Sequence, residues 1–68
     1  MYEFSNSHYE RSHGKAPRGR GCWAFENRDG SKLWWVDGYL TLTEAKKAVT
    51  EQLKVEGVSG NTTIYVAP

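Results

Sequence analysis

Cys22-Trp23-Ala24-Phe25-Glu26-Asn27-Arg28-Asp29-Gly30-Ser31-Lys32-Leu33-Trp34-Trp35-Val36-Asp37 is the stretch whose pairing decides the fold. Residues 22–27 alternate large and small side chains, the period-two pattern of a half-buried strand. Residues 27–31 carry turn chemistry, with Gly30 free to adopt the positive φ of a type I turn with a bulge. Residues 31–37 form a second strand centred on Leu33, Trp34, Trp35 and Val36.

Two registers compete. A three-residue loop of Arg28, Asp29 and Gly30 sets Glu26 against Lys32, Phe25 against Leu33 and Trp23 against Trp35. Opposite charges and large apolar groups then meet on one face. A two-residue Asp29-Gly30 turn sets Glu26 against Leu33 and Asn27 against Lys32, and moves Trp34 and Val36 onto the Trp23–Phe25 face. Cross-strand matching favours the first register. It makes Trp23, Phe25, Leu33 and Trp35 core and leaves Trp34 on the opposite face.

Downstream, Thr41-Leu42-Thr43-Glu44 is a capping box, and Gly57 is a C-terminal stop. Between them Leu42, Ala45, Ala48, Val49, Gln52 and Leu53 recur at helical spacing. Thr62–Val66 reads as a third strand with Ile64 and Val66 inward. A right-handed crossover places it beside the first strand. The expected domain is therefore α+β: a ββαβ unit over 21–68 with a three-stranded antiparallel sheet in the order 2-1-3 and one helix on one face. Its other face is expected to carry Ala24, Lys32, Trp34, Thr63 and Tyr65.

Upstream, residues 1–20 read as an extended basic arm. The chain's net charge is only +1, yet residues 11–20 hold Arg11, Lys15, Arg18 and Arg20 and no acid. Tyr2 and Phe4 alternate, which allows a short fourth strand in which the arm packs back on the sheet.

At 68 residues the chain has room for one small domain. Its nine aromatic residues supplement a thin core. One cysteine excludes an internal disulfide and points to a reducing cytoplasm. No apolar run has the length of a membrane span, and the polar N-terminus does not read as a signal peptide. Catalysis is not expected, because no carboxylate pair or oriented nucleophile can be named. No metal or cofactor is expected either: His8, His13 and Cys22 lack the close paired spacing of structural zinc sites.

The functional signal lies in Lys15-Ala16-Pro17-Arg18-Gly19-Arg20-Gly21. Gly19 lets the backbone approach a ligand closely, and Arg18 and Arg20 suit phosphates and base edges. Pro17-Arg18-Gly19-Arg20 resembles the core of the AT-hook, which continues with a proline where this chain has Gly21. The resemblance implies that Arg18 and Arg20 lie along a narrow A·T minor groove, where negative potential is concentrated. Arg-Gly-Arg-Gly also resembles the RGG segments of RNA-binding proteins. The expectation is a noncatalytic nucleic-acid-binding protein, for DNA or RNA, using Lys15, Arg18, Gly19 and Arg20 with Trp34 and Tyr65 as stacking aromatics. The strand-strand-helix-strand order of 22–68 also resembles small phage inhibitors of bacterial RNA polymerase and small anti-CRISPR proteins. That resemblance implies the alternative: an inhibitor or adaptor binding a host protein through an aromatic sheet face or a strand edge.

Overall fold

The structure, a computed structural model, describes residues 2–68. Its elements in chain order are β1 (Glu3–Ser5), α1 (Ser7–His13), β2 (Arg20–Glu26), β3 (Leu33–Thr41), α2 (Leu42–Glu56) and β4 (Thr63–Val66). The sheet has four strands in the order β1-β4-β2-β3. The expected arrangement of three antiparallel strands is present as β3-β2-β4. The segment read as an extended arm contains a helix, which corrects the expectation. The short fourth strand that the alternation of Tyr2 and Phe4 allows forms as β1, which joins the outer edge of β4 in parallel and pairs Phe4 with Ile64. The sheet is therefore mixed.

The hairpin adopts the second of the two registers. Glu26 faces Leu33, Phe25 faces Trp34, Ala24 faces Trp35 and Trp23 faces Val36. The loop chemistry explains why. Lys32 N–H donates to the Asn27 side-chain oxygen at 3.1 Å, and Asn27 N–H donates to the Lys32 carbonyl at 3.1 Å. The Asn27 amide also donates to the Ser31 hydroxyl, and Ser31 N–H donates to Asp29. These bonds close a four-residue loop over Arg28–Ser31 and lock Asn27 opposite Lys32. Lys32 then finds its counter-ion outside the hairpin, at Glu56 of α2, 2.9 Å away. Its ammonium lies 5.7 Å from the centre of the Trp34 ring.

The shift exchanges the two faces of β3. Trp34 and Val36 are buried, at 4% and 6% exposure, while Leu33 and Trp35 are open, at 42% and 67%. The core is Trp23, Phe25, Trp34, Val36, Ile64 and Val66 from the sheet against Ala45, Val49 and Leu53 of α2. The small Ala45 admits the helix close to the bulky rings. Trp23 completes its hydrogen bonding by donating to the Leu40 carbonyl at 2.6 Å.

β3 runs past Asp37 to Thr41 through an irregularity. Gly21 pairs with Leu40 but Trp23 pairs with Val36, so the β3 side carries two extra residues there. Gly38 sits in that bulge at φ 107, a backbone conformation that costs any residue with a Cβ. The bulge lets the strand deliver Thr41 directly to the helix, where the expected capping box forms. Thr41 accepts from Glu44 N–H at 3.2 Å, and Glu44 accepts from Thr41 N–H at 2.9 Å. Gly57 ends α2 with its N–H on the Lys54 carbonyl and Val58 N–H on the Leu53 carbonyl.

The N-terminal segment is tied to this unit by aromatic contacts. Phe4 packs edge-on against Phe25 at 5.6 Å, under the Lys46 ammonium. The Tyr2 hydroxyl donates to the Val58 carbonyl at 2.6 Å. α1 lies against β4. Its His8 ring stacks on Tyr65 at 4.1 Å and reaches Glu26, and Tyr9 lies beside Trp23.

Candidate functional site

The sheet face away from α2 carries Ala24, Glu26, Leu33, Trp35 and Tyr65, by strand alternation from the buried set. Part of this face is a groove of about 590 Å³. Its floor is Ala24, Leu33 and Trp35. Tyr9 and His13 from α1 also line it, as do Arg18 and Arg20 where the chain enters β2. Tyr9 and His13 stack on each other at 4.1 Å, so that wall is aromatic. Both histidines of the segment read as an arm stack on rings, His8 on Tyr65 and the exposed His13 on Tyr9.

The residues expected to form a site have different fates. Arg18 and Gly19 are exposed in the approach to β2, and Lys15 is exposed further upstream. Arg20 is the first residue of β2 and pairs with Glu44 at 3.2 Å. It therefore belongs to the end of the sheet and leans on the start of α2. Trp34, expected on the open face, lies in the core, because the register places it beside Phe25. Tyr65 is on the open face but half-buried, with one side of its ring against His8. The exposed aromatic in the groove is Trp35, which cross-strand charge matching had assigned to the core. Only the competing register, in which Trp34 and Val36 turn inward, points to it from sequence.

The charged side chains of the fold are unevenly engaged. The Glu26 carboxylate can only accept, so His8 carries its proton on Nδ1 and donates to Glu26 at 2.6 Å. The Glu44 carboxyl is held below its usual range, mainly by Thr41 N–H, then by the Thr41 hydroxyl, and less by Arg20. Glu56 is lowered first by Lys32 and then by the Trp34 indole. The buried Trp34 N–H has no hydrogen-bond partner. Asp29 is lowered by the Ser31 hydroxyl and N–H. Among the described residues, Arg11, Arg18 and Arg28 pair with no carboxylate.

Among the described residues no cluster of three or more His, Cys, Asp or Glu side chains could hold a metal ion. Cys22 is a free thiol at the rim of the groove. No described helix is long and apolar enough to cross a membrane. The fold defines a small α+β domain with two helices and a four-stranded mixed sheet. Set against protein-family models, curated proteins and solved structures, the chain matches none of them.

Proposed function

We propose that the protein binds nucleic acid without catalysis, through Arg18, Arg20 and Trp35. The observation that carries this reading is their convergence. An indole exposed at 67% and two arginines line one groove. An aromatic face beside guanidinium groups offers a base a stacking surface and its phosphate a counter-charge. Lys15 adds charge upstream, and the positive φ of Gly19 turns the chain between the two arginines. Trp34 leaves the proposed site because it is buried. Tyr65 contributes as a neighbour rather than a platform, since His8 occupies its ring.

The test is a titration of labelled DNA and RNA, single-stranded and duplex, at low and moderate salt, with wild type and the Arg18→Ala/Arg20→Ala variant. Binding that weakens with salt and falls at least tenfold in the variant is the expected outcome, given the linear salt dependence of phosphate contacts. The Arg20–Glu44 pair is exposed, so its loss leaves the fold intact and the comparison clean.

A second reading rests on a different feature. β3 is an edge strand. The Trp35 carbonyl faces outward and accepts from the Gln52 side chain at 2.9 Å. Leu33, Trp35 and Tyr39 are exposed along this strand. A protein partner, such as the host protein of a phage-type inhibitor, would add a strand here or anchor on Trp35. Such binding would survive Arg18→Ala/Arg20→Ala and be lost with Trp35→Ala.

A further inference from the structure

A second groove, of about 520 Å³, adjoins the first. It is lined by His8, Arg11, Ser12, Arg28 and Asp29, and it shares Glu26 and Pro68 with the groove that holds Arg18 and Trp35. Glu26 and Pro68 thus border both grooves. Arg18 lines the first groove, and Arg11 and Arg28 line the second. None of these three guanidinium groups is paired with a carboxylate among the described residues. The acid at the junction, Glu26, is already engaged by His8. Asp29 accepts from Ser31 N–H. The Ser31 hydroxyl and N–H hold its carboxyl below the usual range, so it stays an anion in the second groove. The Asn27–Lys32 pairing that buries Trp34 is the same one that projects Arg28 from the loop at the end of this face.

We infer that the ligand is single-stranded nucleic acid, and that its backbone runs the length of both grooves from Arg18 and Arg20 to Arg28 and Arg11, with one base stacked on Trp35. This rests on the nucleic-acid reading above and adds the strand type and the path. Three observations favour a single strand. The exposed indole needs an unstacked base, which a duplex does not present. Arg20 is the first residue of β2, so the backbone from Arg20 onward is fixed in the sheet and cannot lie along the floor of a minor groove as a free arm would. The path also crosses a strand face from its start to its hairpin end. Over Arg20–Glu26 this is about 20 Å at strand rise, a continuous track for an extended chain.

The experiment compares oligothymidylates of about 2 and about 8 nucleotides, one too short to reach both ends of a path of about 20 Å and one long enough to cover it. A duplex of the longer length and a uridylate strand of the same length are added. Binding is read by tryptophan fluorescence and anisotropy across a salt series. The variants are Arg11→Ala/Arg28→Ala, Trp35→Ala and Arg18→Ala/Arg20→Ala, each checked for native circular dichroism. The inference expects the longer strand to bind at least tenfold tighter than the shorter one and tighter than the duplex. It expects Arg11→Ala/Arg28→Ala to lower the salt slope for the longer strand by about 1.4, at about 0.7 per phosphate contact. The same variant should leave the shorter strand within about twofold. Trp35→Ala should remove most of the fluorescence quenching.

Preference for duplex overturns the inference. So does length-independent binding, or an unchanged salt slope in Arg11→Ala/Arg28→Ala. In each of these cases a loss of binding in Arg18→Ala/Arg20→Ala keeps the broader reading standing. No binding to any probe overturns both. The thymidylate and uridylate arms distinguish DNA from RNA as the source of the strand.

Discussion

Replacing the adjacent tryptophans one at a time should give opposite results, because the hairpin register assigns them to opposite faces. Trp34 is 4% exposed and packs against Phe25 and its core neighbours, with Lys32 over its ring. Trp34→Ala removes a buried aromatic, which costs about 3–5 kcal/mol when the surroundings cannot collapse into the space. The cation–π contact adds about 0.5–1 kcal/mol. A domain of 68 residues has a total stability of about 3–10 kcal/mol. The variant should therefore lose half its stability or fail to fold. Trp35 is 67% exposed, so Trp35→Ala should stay within about 0.5 kcal/mol of wild type. Urea denaturation followed by far-ultraviolet circular dichroism measures both. Trp34→Phe keeps most of the buried volume and is the fallback if Trp34→Ala does not fold. The reasoning is refuted if Trp35→Ala is the severely destabilised variant and Trp34→Ala is neutral. That result would mean that Phe25 faces Leu33 and the open face carries Trp34.

Three further outcomes follow from the fold. Gly38→Ala places a Cβ at φ 107 and should lower stability by about 1–2 kcal/mol, seen as a lower denaturation midpoint with an unchanged slope. Phe4→Ala removes the edge contact on Phe25 that holds β1 to the sheet. It should cost about 2 kcal/mol and speed amide exchange over residues 3–5 ahead of the rest of the sheet. The Glu44 carboxyl is depressed below its ordinary value of 4.5, chiefly by Thr41, so its contribution is fully present above that pH and is lost as pH falls through the folded-state value. The melting temperature should thus fall on acidification below about pH 4.5, and Glu44→Gln should reduce that fall, since Gln keeps the reach of the cap but does not titrate.

The candidate site was partly legible. The arginines at 18 and 20 stand out because they occur beside glycine in a stretch with no acid. Their aromatic partner was misassigned by one position, and in a strand one position is a change of face. Matching Glu26 to Lys32 is sound pairwise chemistry, but Lys32 has a better-placed counter-ion in Glu56, 24 residues further along the chain. A pairwise comparison within the hairpin cannot weigh a partner on the helix. Arg11 and Arg28 give no distinctive local pattern. They become neighbours only because α1 packs against β4, next to the hairpin loop.

Local chemistry by itself determined the elements whose signals lie within a few residues. The capping box at Thr41 and Glu44, the stop at Gly57, the small-residue stripe of α2 and the inward Ile64 and Val66 all rest on interactions over one turn or one strand period. The order of β2, β3 and β4 follows from chain handedness and connection length. Tertiary structure decided the rest. α1 has seven residues and no buried side chain, too short to be stable alone, and it forms where His8 meets Glu26 and Tyr65. β1 has three residues and exists because Tyr2 and Phe4 find Val58 and Phe25 across the fold. The register of the hairpin, and with it the choice of Trp35 over Trp34 for the open face, was set by a side-chain bond at Asn27, a salt bridge to α2 and the shape of the core that Trp34 fills.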